Sequence, residues 1–226
     1  MAIGFMAPAL DAMAAPSFAG PTTLGERGDN LSSALDRLLS RPGLKDELSL
    51  WLSRLTPMDV TSIEIGRLDP FVLAYIIDGK DYRVSLHSAS EGTLRFLLIL
   101  AMLLDSTGST APFRRTVFLE EIETGLHPTR LNLLVELIES KTLEDPHLQI
   151  IATTHSPLLL KLLSRSSIKD ALLTYRHERT SQGQVRLLMD IESAPEVAAE
   201  FGLDDLLKTG WFENAAHFTE PDEVVK

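Results

Sequence analysis

The sequence predicts an α/β chain: a larger C-terminal part built on a parallel sheet, with a smaller α+β lobe in front. Three observations predict it. After Ser90, apolar strand-like runs alternate with helical patterns, which favours parallel strands with helices packed on the faces. Two of those runs, Thr116–Leu119 and Leu148–Ala152, are separated by one helix opening at Pro128, the spacing of a parallel crossover. Before Ser90 the pattern is helical and then alternating, and Asp78-Gly79 marks a tight hairpin.

Taken in order, residues 1–28 hold Ala, Pro and Gly without a clear period and read as a loop or frayed start. Asp29-Asn30 offers a helix cap, and Leu31, Ala34, Leu35, Leu38 and Leu39 follow at helical spacing. A second helix follows Arg41, with Pro42 in its first turn and Leu44, Leu48, Trp51, Leu52 and Leu55 on one face; Pro57 lies beyond its end. Val60–Leu68, Phe71–Ile77 and Tyr82–Leu86 are strand candidates, closing a lobe over 29–87. A long helix is expected over Glu91–Asp105, then a loop over Ser106–Pro112 and the strand Thr116–Leu119. The Pro128 helix turns Leu131, Leu134, Val135 and Ile138 inward. Leu148–Ala152 is the next strand, and Ser156-Pro157 starts a helix. A hairpin-like pair, Ala171–Arg176 and Gln184–Met189, and short helices over Ser193–Phe201 and Asp204–Lys208 complete a core over 88–214. Residues 215–226 are expected to be loose.

Composition narrows the function classes. The chain has 226 residues, a net charge of −11 and no cysteine. Without cysteine there are neither disulfides nor thiolate metal sites, which fits a reducing cytoplasm. No apolar run reaches the length of a membrane span, and the apolar start, Met1 to Ala15, lacks the basic residues of a secretory signal. Arg114-Arg115 is the densest basic pair, so this chain alone is a poor main grip on nucleic acid.

Three motifs carry chemistry. Thr116-Val117-Phe118-Leu119-Glu120-Glu121 is a strand that delivers two carboxylates to the sheet's C-terminal edge, where α/β proteins bind ligands. The first acid suits a hydrated Mg²⁺ and the second an attacking water. Taken alone, the run reads more readily as a plain strand ending in two solvated acids. Ile150-Ile151-Ala152-Thr153-Thr154-His155-Ser156-Pro157 ends another strand in a histidine, a possible donor to a terminal phosphate or a simple loop residue. Ser88-Ala89-Ser90-Glu91-Gly92-Thr93 opens the long apolar helix, as an anion site or an ordinary serine cap.

Joined in this order, the motifs resemble those of ABC-type ATPase heads of the RecF, SMC and OLD-like kind, closest to the toxin-system and phage-defence branch of AAA ATPases. That branch's signature reads like Leu-Ser-Asp-Gly-Thr-Leu-Arg-Phe; here it is Ala89-Ser90-Glu91-Gly92-Thr93-Leu94-Arg95-Phe96. Its Walker B acid, with Glu for the usual Asp, matches Glu120, and its catalytic Glu matches Glu121. Its D-loop matches Glu123 to Pro128, and its switch histidine matches His155. Lys208-Thr209-Gly210-Trp211-Phe212 resembles the end of that branch, so the resemblance covers roughly residues 29 to 214.

The resemblance implies a P-loop NTPase fold of the ABC type, ATP and Mg²⁺ as cofactors, and a nucleotide-gated dimer of heads. Glu121 and His155 would be catalytic, and Glu120 would hold Mg²⁺ through water. Ser90, Glu91, Gly92 and Glu123 would meet nucleotide across the dimer seam. Partners would be a second head, as a homodimer or as a complete partner subunit, and, through the full assembly, DNA or an effector nuclease or toxin. One departure stands out. The family's Gly-x-x-x-x-Gly-Lys-Ser/Thr phosphate loop does not occur in these 226 residues. Gly79-Lys80 is followed by Asp81 and falls in the expected hairpin. The chain therefore reads as the C-terminal part of a head whose Walker A strand lies in upstream sequence. Two alternatives stand beside this: a non-catalytic split or degenerate head that docks on a complete ATPase, and a metal-dependent nuclease using Glu120, Glu121, Glu123 and His127.

Overall fold

A computed structural model describes residues 2–6, 8–20, 24–54, 60–106, 115–176 and 181–218. Leu55, Pro57, Arg114, His177, most of the expected 106–112 loop and the tail after 218 lie outside the described residues. The chain divides into two compact units, Met1–Thr154 and His155–Lys226. The boundary thus falls within the expected 88–214 core, and the front lobe belongs to the same unit as the two acid- and histidine-tipped strands.

The first unit is built around a helix, α4 (Glu91–Ser106), that is apolar on every side. Phe96, Leu97, Leu98, Leu100, Ala101, Leu103 and Leu104 are all fully buried. An all-round apolar helix must lie inside, and α4 packs against α1 (Leu10–Ala14), α2 (Leu31–Leu39), α3 (Pro42–Ser53) and α5 (Pro128–Glu144). The expected stripe of α2 is buried at Leu31, Ala34, Leu35 and Leu38, and that of α3 at Leu48, Trp51 and Leu52. Gly28, in a left-handed conformation at φ +74°, leads into α2; a Cβ there would lie 2.9 Å from Leu98 Cδ1.

Two sheets flank these helices. The first is parallel, with strand order β1 (Ala2–Met6), β6 (Arg115–Leu119), β7 (Leu148–Ala152). β6 and β7 pair from Arg115 with Leu148 to Leu119 with Ala152. The second is antiparallel: β2 (Ser17–Phe18), β4 (Phe71–Ile77), β3 (Ser62–Leu68), with β5 (Arg83–Ser85) also on β4. The mixed α/β fold with a parallel sheet is the one the alternation predicts.

The opening segment differs from expectation. Residues 1–28, expected as loop, contain β1, α1 and β2, and β1 pairs along the whole of β6. The hairpin after β4 is as expected: the Asp78 carboxylate accepts the backbone N–H groups of Lys80 at 2.8 Å and Tyr82 at 2.9 Å. Gly79-Lys80 therefore sits in a β-turn, not between a strand and a helix.

The second unit holds α6 (Pro157–Leu162), α7 (Arg165–Ile168), the antiparallel hairpin of β8 (Leu172–Arg176) and β9 (Gly183–Leu187), α8 (Ala194–Phe201), α9 (Leu203–Lys208) and α10 (Trp211–Phe218). Its core gathers Leu160, Leu173, Leu188, Ile191, Leu206 and Phe212. Helix α10 extends to Phe218, past the point where a loose tail was expected to begin. Among the described residues, no helix is long and apolar enough to cross a membrane.

Candidate functional site

The two carboxylates stand where the β6 pattern puts them, directly after the strand, and both are exposed. The pairing with β7 continues past both strands. Thr153 donates its N–H to the Leu119 carbonyl at 2.9 Å, and Ile122 donates to the Thr153 carbonyl at 3.3 Å. Between them the chain turns through Glu121, whose φ of 45° is left-handed and costly for a residue with a Cβ. Two threonines hold that turn. The Thr153 hydroxyl accepts the Glu121 N–H at 3.0 Å, and the Thr124 hydroxyl donates to Glu121 Oε2 at 3.2 Å. The backbone of the second acid is thereby fixed and its carboxylate tethered on one side.

Glu120 borders a small cleft with Arg95, Leu98, Ile99, Leu119, Ile122 and Pro8. Glu123 and Thr124 continue the turn toward Gly125, a left-handed glycine at φ +75°. His127 then caps α5: its Nδ1 accepts the Thr129 N–H at 3.4 Å and lies 3.0 Å from the Thr129 hydroxyl. Among the described residues no three His, Asp or Glu side chains converge as a protein-held metal would require, so Glu120, Glu121, Glu123 and His127 form no such cluster.

The segment Ser90–Thr93 lies against this turn. Ser90 precedes α4, and its Oγ accepts the Thr93 N–H at 3.2 Å and lies 2.8 Å from Thr93 Oγ1. Glu91 pairs with Arg95 at 3.1 Å. Gly92 is buried, and a Cβ there would overlap the carbonyl oxygen of Gly125. In return a Cβ on Gly125 would come within 2.9 Å of Glu91 Cγ. Two glycines thus let the Ser90 and Glu123 loops touch backbone to backbone. Ser90, Glu91, Gly92 and Glu123, expected at the dimer seam, and Glu120 and Glu121, expected at Mg²⁺ and the attacking water, all lie in the first unit. His155 is exposed and opens the second unit, two residues after Thr153.

Sequence reasoning missed Thr153, Thr124 and Arg130. Thr153 lies inside the histidine motif and could have been suspected as a strand-end hydroxyl. Arg130 carried no signal: its guanidinium donates to Thr93 Oγ1 at 3.0 Å and Ser90 Oγ at 3.4 Å, contacts that only folding creates.

The exposed carboxylate of Glu120 suits Mg²⁺, a hard ion that prefers oxygen ligands and keeps its waters. The Ser90 hydroxyl at the head of a long helix suits a phosphate oxygen. These residues fit the metal and the terminal-phosphate end of ATP.

No curated protein matches the chain. The fold is similar to a chain from work on ATP-driven dimerization and DNA-stimulated activation of SMC ATPases, at 14% identity and TM-score 0.49, covering 74% of this chain and 96% of that one. It is also similar to an Smc head domain with a coiled coil and joint from Pyrococcus yayanosii, at 15% identity and TM-score 0.48. A third likeness is to an Smc head domain from Pyrococcus furiosus bound to the C-terminal domain of ScpA, at 15% identity and TM-score 0.48. The match covers 69% of this chain in both cases, and spans 28% of the first of these two chains and 37% of the second. A family match runs over residues 10–161, more than half of the sequence and inclusive of Ser90, Glu120, Glu121 and His155; the chain belongs to the AAA-domain family described as "AAA domain, putative AbiEii toxin, Type IV TA system".

Proposed function

We propose that this chain is the signature- and Walker B-bearing part of an ABC-type ATPase head that hydrolyses ATP within a nucleotide-gated dimer. The observation that carries the reading is Glu121: an exposed carboxylate on a left-handed backbone, clamped by Thr153 and Thr124 at the C-terminal edge of a parallel strand. Glu121 accepts a proton from the attacking water and orients it. Glu120 holds Mg²⁺ through its water shell, and the ion when bound neutralises charge on the phosphates. His155, three residues beyond β7, donates a hydrogen bond to the terminal phosphate. Ser90 and Gly92 face the nucleotide of a second head, with Glu123 and its loop at the seam. The reading requires a phosphate loop, a motif that does not occur in these 226 residues. Membership of the AAA family supports nucleotide chemistry, while DNA or an effector toxin or nuclease as the object of that chemistry rests on motif resemblance.

The test is Glu121→Gln in the assembly that carries both this chain and a phosphate loop. Phosphate release should fall by about 10²-fold or more, the scale of a positioned general base, while ATP still binds and the dimer persists on size-exclusion in Mg-ATP. Hydrolysis at the wild-type rate would sink the assignment. A second reading, a non-catalytic head docking on a complete ATPase, is favoured by the missing Gly-x-x-x-x-Gly-Lys-Ser/Thr. It predicts that Glu121→Gln changes nothing while Ser90→Arg abolishes docking.

A further inference from the structure

We infer that Arg130 is a positioning residue for Ser90: from the first turn of α5 it fixes the Ser90 hydroxyl as a hydrogen-bond donor aimed at an anionic phosphate oxygen. This rests on the proposed role of Ser90 at a second head's nucleotide.

A serine hydroxyl has one proton and two lone pairs. In this structure the Ser90 oxygen accepts from the Thr93 N–H at 3.2 Å and from Arg130 Nη1 at 3.4 Å. Both lone pairs are then engaged, so at the 2.8 Å contact with Thr93 Oγ1 it is the Ser90 proton that is donated. Thr93 Oγ1 accepts it, alongside Arg130 Nη1 at 3.0 Å. An arriving phosphate oxygen takes over the place of Thr93 as acceptor and meets a hydroxyl that can only donate. Without Arg130 one lone pair is released, and a hydroxyl free to rotate can turn that lone pair, rather than its proton, toward the anion.

The placement of Arg130 gives it a second consequence. It lies three residues after the His127 cap, on the helix that continues the Glu121–His127 turn, and its Nη1 reaches two hydroxyls of the Ser90 loop. Gly92 and Gly125 already bring these loops into backbone contact. Arg130 adds the polar tie, so the loop that serves one nucleotide and the loop that serves the other cannot shift separately.

The experiment compares Arg130→Met, Arg130→Lys and Ser90→Ala in two settings. In the chain alone, amide exchange at Thr93 reads whether Arg130 holds the cap. Arg130→Met should speed it by ~10-fold, the scale of a lost hydrogen bond to a charged group; Arg130→Lys, which keeps a charged donor on a shorter and more flexible side chain, should lie between. Unchanged exchange in both variants overturns the inference. In the assembly with its phosphate loop, Mg-ATP-driven dimerisation should weaken by ~10-fold in Arg130→Met and in Ser90→Ala, while ATP binding by a single undimerised head is unmoved, and the double variant should be no worse than Ser90→Ala. Additive losses, or a wild-type dimer in Arg130→Met beside a weakened Ser90→Ala, overturn the positioning role alone. A wild-type dimer in Ser90→Ala overturns both this inference and the phosphate role of Ser90 on which it rests.

Discussion

Lys141 exposes 2% of its side chain yet pairs with two carboxylates, Glu47 from α3 and Glu144 from its own helix at 2.6 Å. Burial pulls its pKa down, but the hydrogen bonds and charges of Glu144 and Glu47 more than reverse this, and the net shift is upward. The Lys141 hydrogen bond holds the Glu144 carboxyl below its usual range. The raised lysine stabilises the fold at any pH below its unfolded value of roughly 10.4 and loses that contribution as pH rises through the folded value. The lowered glutamate contributes above roughly pH 4.3 and loses its contribution as pH falls through its folded value. Lys141→Met should therefore cost about 2 kcal/mol at neutral pH, the worth of charged hydrogen bonds to partly solvated acids. The difference from wild type should shrink in urea melts as pH falls from about 5 toward 3. A constant difference across that range would show that lost packing, not the ion pair, sets the cost.

At the scale of elements, strong periodicity was legible and close approach was not. Helices α2 and α4 and strands β4 and β7 lie within a residue of their expected bounds; the first three carry a stripe or an unbroken apolar run, and β7 a short, largely apolar one. Strand β1 was missed because it lies in an Ala-, Pro- and Gly-rich opening segment without a clear pattern, and its pairing with β6 is a contact that only folding creates. The acids after β6 and the Ser90 cap could be read from strand ends and helix starts. The left-handed turn at Glu121 and the Arg130 hydrogen bonds could not, since one is a backbone torsion and the other joins residues forty positions apart. The pairing of β1 has a measurable consequence. Deleting residues 1–6 bares one edge of β6, a template for strand addition. The shortened chain should self-associate at about micromolar concentrations by sedimentation velocity, whereas an unchanged distribution would show that β1 contributes little to the sheet.

Across the whole molecule, the sequence supplies the acids proposed for hydrolysis and the Ser90 loop but no Gly-x-x-x-x-Gly-Lys-Ser/Thr cradle for the inner phosphates. These 226 residues by themselves should bind Mg-ATP no tighter than about millimolar, on the order of −4 kcal/mol, by isothermal titration. Micromolar affinity would reveal a phosphate site built from other residues, with Gly79-Lys80 excluded by its place in a β-hairpin. Glycine pairs such as Gly92 and Gly125 matter at this scale too, since they hold the Ser90 and Glu121 loops of one unit together.

On the role proposed for Glu121, its left-handed backbone sets function against thermal endurance. Asparagine tolerates that torsion better than glutamate, so Glu121→Asn should raise the melting temperature while abolishing turnover. Relief of about 1 kcal/mol corresponds to roughly 2–4 °C for a chain of this size. Calorimetry of the single variant measures it, and a lower melting temperature would mean that the threonine clamps, not the torsion, dominate. If the gain is real, random mutation with selection for heat resistance alone would drift toward a tougher protein that no longer turns over, and retention of glutamate at this position would itself report that the reaction is under selection.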